Sequence, residues 1–209
     1  MRLRTENPAV PRPRSDSRDK IVEAARVLLR RQGYHGSGLA QIIESSGAPR
    51  GSVYFLFPGG KEEIAVAAVE VSARTIPELI TAAQQESATL REWIDSVVAH
   101  FAAELTESQF TDGCPITTMA LDTAPASHVL TAALRGAYDA WLAAVAAALH
   151  AYSVPGAVVP GLAVTMLASL EGALVLCRVQ QSVQPLHDVA AQLTTLAETH
   201  CLRPGSNGT

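Results

Sequence analysis

Charge and aromatic rings are scarce in this 209-residue chain: 17% of its residues are charged and 5% aromatic, against 48% hydrophobic. A chain of this length and balance builds one or two domains with a sizeable interior. Cysteine is sparse as well. Cys114, Cys177 and Cys201 are odd in number, far apart and free of any CxxC spacing, which excludes a disulfide framework and paired-cysteine zinc spacing and fits the reducing cytoplasm. No basic-then-apolar segment opens the chain, so export is not expected. The longest apolar run, residues 154–170, contains Pro155, Gly156, Pro160 and Gly161 and is followed by Glu171, which suits a buried helix better than a membrane span. GxGxxG, the Walker phosphate loop and HExxH are all missing, as is any nucleophile beside a base, so no enzyme chemistry and no cofactor are expected. His100 and Glu104 stand four apart on one helix face, but two ligands are too few to hold a metal.

What is present is unevenly spread. Residues 1–61 hold eleven Lys and Arg against five Asp and Glu, whereas residues 62–209 hold five against fifteen. A basic N-terminal part on an acidic body is the balance of a nucleic-acid module joined to a domain that avoids nucleic acid. Within the basic part, Leu39, Ile42 and Ile43 recur at helical spacing, Gly47 supplies a pivot, and Pro49 is suited to open a second helix, since a first-turn position needs no N–H. Two short helices joined by a tight turn make a helix-turn-helix, whose second helix enters the major groove. That helix, residues 49–56, carries Arg50, Gly51, Ser52 and Tyr54 towards DNA, while Val53, Leu56 and Phe57 pack the module. The Arg50 guanidinium suits a guanine edge and equally a phosphate; the Ser52 and Tyr54 hydroxyls suit phosphate oxygens. Ser17 is expected to cap a bracing first helix that Gly33 ends, and Ser37, a further candidate DNA contact, to cap the second.

Gly33-Tyr34, Ser37, the run Gly47 to Ser52, Tyr54 and Phe57-Pro58-Gly59-Gly60-Lys61 together resemble the TetR family of bacterial transcriptional regulators, and within it the LmrA/YxaF-like branch. Gly113-Cys114-Pro115, Ser169 to Leu174 and Pro185-Leu186 extend the resemblance over nearly the whole chain. It implies that Tyr54 and Lys61 touch the DNA backbone. A His that the family often carries just before Phe57 is Leu56 here, so its contact does not transfer. The resemblance also implies that the second domain encloses a small-molecule effector and that the last two helices pair across a twofold axis. Trp93, Phe101, Phe110, Cys114, Met119, Trp141 and Met166 are the candidate lining residues. An apolar or aromatic effector is expected, because few cations are available to hold an acid.

The expected architecture is therefore all-α: a basic arm over residues 1–16, a three-helix DNA-binding domain over 17–61, a helical effector-binding and dimerisation domain over 62–203, and a disordered tail over 204–209. Arg2, Arg4, Arg12 and Arg14 of the arm either add phosphate or minor-groove contacts or have no role. Beyond Lys61 a connecting helix is expected to end or kink at Pro77. Thr89-Leu90-Arg91-Glu92 has capping-box spacing, Ser127 caps a helix reaching about residue 150, and helices over 155–182 and 185–201 close the chain. The little polar surface around Val164, Leu167, Ala168 and residues 174–177 requires a partner to cover it. The function expected is a ligand-responsive, homodimeric, cytoplasmic repressor that binds double-stranded operator DNA and has no membrane partner. Two other readings stay open: a thiol-based redox sensor using Cys114, and a helical small-molecule-binding protein or enzyme without operator binding.

Overall fold

The computed structural model describes residues 14–201, and the expectations for the basic arm up to residue 13 and for the tail lie outside them. Nine α-helices and no strand occur among the described residues: α1 Arg14–Gly36, α2 Leu39–Ser46, α3 Arg50–Leu56, α4 Gly60–Glu86, α5 Leu90–Glu107, α6 Pro115–Thr123, α7 His128–Ala151, α8 Val159–Gln180 and α9 Gln184–Cys201.

Several helix ends follow from local chemistry. Thr89 and Glu92 form a reciprocal capping box at α5, with the Glu92 amide donating to Thr89 Oγ1 over 3.2 Å. Ser127 caps α7 by accepting from the Leu130 amide at 3.1 Å, and its hydroxyl donates to Glu62 Oε1 at 2.6 Å, which ties the start of α7 to the start of α4. Gly33 breaks α1 at φ 71°, ψ −176°, and a Cβ there would meet Asp122 Oδ2 at 2.5 Å, so both backbone and space require glycine.

Other ends differ from expectation. Ser17 lies inside α1, which begins three residues earlier and carries Asp16 in its first turn, paired with Lys20 at 2.8 Å. Gly38 rather than Ser37 is the N-cap of α2, and Pro49 is the N-cap of α3 rather than its first helical residue. Residues 155–158 form a turn ahead of α8, with the Val158 amide bonded to the Pro155 carbonyl. Pro77 does not end α4, which runs nine residues past it. Trp141 Nε1 donates to the Ser72 carbonyl at 3.2 Å, and the packing on both sides of Pro77 holds the helix through the missing hydrogen bond.

Two cores result. One joins α1, α2 and α3 to the first half of α4, to Ile116 and Met119 of α6 and to the first half of α7. The other joins the second halves of α4 and α7 to α5, α8 and α9. The first core shows that packing does not stop at residue 61: the helix-turn-helix shares its interior with three helices of the body. Ile76 and Cys114 pack against both cores, and a cavity lies beside them.

Candidate nucleic-acid interface and effector cavity

The turn between α2 and α3 is made by Gly47 in the left-handed conformation (φ 62°, ψ 12°), whose amide donates to the Glu44 carbonyl. Ser46 fixes the turn from one side, donating to the Ile43 carbonyl and accepting from the Ala48 amide. In α3, Val53 is buried and Phe57 behind it wholly so, which turns Arg50, Gly51, Tyr54 and Phe55 outward along one face. Ser52 is half-buried. Phe55, 67% exposed beside Tyr54 at 63%, is a candidate contact that the sequence reading missed. Its position four residues after Gly51 on the face opposite Val53 was the available signal.

Two further candidates are differently placed. Ser37 is wholly buried and donates from Oγ to the Gly33 carbonyl at 2.7 Å, so its hydroxyl is used within the fold. Lys61, in the first turn of α4, holds its ammonium 4.2 Å from the Tyr34 ring centroid, and partial burial lowers its pKa.

The cavity has a volume of about 400 Å³ and lies among α1, α4, α5, α7, α8 and the 112–115 segment. Of the candidate lining residues, Trp93, Phe101, Cys114, Trp141 and Met166 lie at this cavity, whereas Phe110 packs outside the lining and Met119 sits in the head-side core. Met119 faces α1 and α4 because α6 lies against α1, an arrangement that spacing along α6 does not reveal. Trp93 Nε1 donates to the Ile80 carbonyl and Trp141 Nε1 to that of Ser72, so both indole N–H groups are satisfied by α4 and their rings offer the cavity apolar surface.

Polar groups gather at two places on the wall. At the first, Arg30 of α1 donates to Glu104 Oε2 at 2.6 Å and to the Gly113 carbonyl at 2.9 Å, and lies 3.7 Å from Asp112. Arg31 pairs with Asp112 at 2.6 Å, and Arg178 of α8 donates to the Thr111 carbonyl at 3.1 Å. The 111–113 segment is thus bonded to α1 and α8 together. His100 approaches Glu104 to 3.8 Å, and no group of three metal-ligating side chains occurs among the described residues.

At the second place the groups are uncharged apart from one carboxyl. Thr117 Oγ1 donates to Glu171 Oε2 at 2.8 Å and lies 2.7 Å from Tyr138 Oη. Since Thr117 has one hydroxyl proton, the Tyr138 hydroxyl is the donor to it. Burial pushes the Glu171 carboxyl above its ordinary pKa, lifts Tyr138 to about 12, and together with the neighbouring Glu171 drives the Cys114 thiol well up. In the sequence Glu171 stands out only as the acid that follows an apolar run and as part of the Ser169 to Leu174 stretch of the family resemblance, not as a site residue.

Comparison with known proteins identifies this arrangement. Residues 21–68 match the family model for bacterial regulatory proteins of the tetR family, and residues 90–192 match the C-terminal domain of LmrA/YxaF-like transcriptional regulators. The HTH-type regulator YxaF of Bacillus subtilis is 32% identical over 183 residues, covering 88% of this chain and 96% of its own. LmrA of the same organism is 30% identical, covering 87% and 96%. A TetR regulatory protein from Rhodobacter sphaeroides shares the fold at a TM-score of 0.76 and 18% identity, over 86% of this chain and 97% of that one. The fold and the helix-turn-helix therefore define a DNA-binding transcriptional regulator rather than an enzyme. The chain belongs to the TetR family, in its LmrA/YxaF-like branch.

Proposed function

We propose that this regulator is a cytoplasmic homodimeric repressor, and that a small apolar or aromatic molecule entering the cavity releases it from its operator. Arg50, Gly51, Ser52, Tyr54 and Phe55 form the DNA-facing surface, with Lys61 reaching a phosphate once it leaves Tyr34; Ser37 acts from within, by shaping the start of α2. The functional division follows the expected one, with DNA reading before residue 61 and effector binding and dimerisation after it.

One observation carries the coupling. The cavity wall and the DNA-reading head share parts: Arg30, on the helix that braces the head, is bonded to Gly113 and Glu104 at the cavity rim. A ligand that displaces the rim therefore has a different affinity for the two placements of the head, which is the requirement for control.

Dimerisation through α8 and α9 is supported by an apolar stripe on α8, where Val164, Val175, Leu176 and Val179 are at least half exposed and small Ala168 and Gly172 lie between them. Among the described residues α8 is the one helix long and apolar enough to cross a membrane; here it packs on α7 and α9, and a second copy would cover its outer side. A thiol sensor at Cys114 has little support, because a thiol held protonated is a poor nucleophile.

The test is a titration of the full-length protein against DNA from upstream of its own gene, with random DNA as control, at several salt concentrations. Specific binding that weakens steeply with salt is expected, and Arg50→Ala should cost roughly tenfold to a hundredfold on the specific DNA and less on the random one. Equal, weak binding to both DNAs would count against operator recognition by this surface.

A further inference from the structure

The two polar places on the cavity wall are not equivalent, and the second implies a ligand class. Around the first, each acid already has a cation: Glu23 is forked by Arg26 at 2.8 and 2.9 Å, and Glu104 and Asp112 share Arg30 and Arg31. Glu171, beside Cys114, has no cationic side chain within ion-pair distance among the described residues. It accepts at 2.8 Å from Thr117, which is itself oriented by Tyr138, and it also hydrogen-bonds the Cys114 thiol, so its partners are all uncharged. Away from the rim, the cavity that Glu171 lines is largely apolar, with Trp93, Val97, Trp141, Met166 and Leu170 among its wall residues.

A carboxyl so placed costs free energy when ionised, and a cation arriving beside it removes that cost. The oriented chain Tyr138 to Thr117 to Glu171 holds the carboxyl at a fixed place, so the partner need supply only one charged donor on an apolar frame. A carboxylate ligand would meet Glu171 and the already paired acids of the rim without a free cation to receive it.

We propose that Glu171 is the polar anchor of the cavity and that it selects an apolar or aromatic molecule carrying a protonated amine. This rests on the cavity being the effector site, and it narrows the effector from apolar in general to a lipophilic cation. The amine donates to Glu171, and the ring or chain lies against Trp93, Trp141 and Met166.

Trp93 and Trp141 are the only tryptophans in the chain and both line the cavity, so intrinsic fluorescence reports its occupancy directly. The experiment titrates full-length protein with phenylbutylamine, phenylbutanol and phenylbutyrate, which share one apolar skeleton, and measures operator binding in parallel. The amine should bind about tenfold tighter than the alcohol, with the acid weakest. Glu171→Gln should bring amine and alcohol to within a few-fold of each other while leaving the alcohol's affinity unchanged, which also shows that the variant is folded. Glu171→Asp, which keeps the charge, should retain the amine preference. Equal binding of amine and alcohol, tighter binding of the acid, no binding of any of the three, or a preference that survives Glu171→Gln would overturn the proposal. If the amine binds through Glu171 yet leaves operator affinity unchanged, the anchor stands and the release mechanism fails. If alcohol and amine release DNA alike, release stands and the anchor fails.

Discussion

The two polar places on the cavity wall solve the same problem in opposite ways. At the rim, carboxylates are matched by arginines in short, partly solvated pairs that fasten α1 to α5 and to the 111–113 segment. At Glu171, a carboxyl is kept among hydroxyls, a thiol and apolar side chains, and its cost appears as a raised pKa. The first arrangement is structural because it is complete. The second is hydrogen-bonded but has no cation to balance its charge, which is what an arriving ammonium group would supply.

The comparison is broken most strongly at the rim. Arg30→Ala leaves Glu104 without its closest cation and Asp112 with Arg31 alone, and it should lower unfolding free energy by about 2 to 4 kcal/mol in urea denaturation. Because Arg30 is the bond between head helix and cavity, the same variant should weaken the dependence of operator binding on effector. A variant with full stability would show the rim pairs to be passive.

At Glu171 the sign reverses. Glu171 has a folded-state pKa above its unfolded value, so the native state holds more protons in the window above the ordinary carboxyl pKa of 4.5, and stability falls as pH rises through it. Glu171→Gln removes that loss: its melting temperature should match the wild type at acidic pH and exceed it by a few degrees at neutral pH. A variant less stable than wild type at neutral pH would mean that the carboxylate has a compensating partner after all.

The smallest effect is expected from Thr117→Val, which cuts the relay between Tyr138 and Glu171. The loss should be about 1 to 2 kcal/mol, with amine selectivity reduced rather than abolished, since the carboxyl remains but loses its orientation. Fluorescence titration alongside thermal melts separates the two consequences.

Much of this was legible in the sequence, for reasons that differ by residue. Thr89 with Glu92, Ser127, and Gly47 in its turn act within a few positions of themselves, so spacing suffices to find them. Trp93, Trp141 and Met166 stand out in the sequence by size and polarizability, and the fold brings all three to the cavity wall. Ser37 and Met119 were not, because what decides them is tertiary: Ser37 turns inward to the Gly33 carbonyl, and Met119 is claimed by the seam between α6 and α1. Of the two outcomes expected at Pro77, an end or a kink, the end does not occur, because packing on either side carries the helix through it. Glu171 was invisible as a site because a lone acid at the end of an apolar run looks like a solvated end, and only Thr117 and Tyr138, distant in sequence, show otherwise.

Pro77 makes α4 two arms on one fulcrum. The arm below it belongs to the head's core through Ile64 to Val69, and the arm above it to the body's core through Ile80 and Ala83. Gly60 lies seventeen residues from Pro77, a lever of about 26 Å at the helical rise, so a bend of roughly 5° at the proline swings the head end by about 2 Å. The indole of Trp141, hydrogen-bonded to Ser72 just beneath the fulcrum and facing the cavity with its ring, sits where a small push is multiplied most.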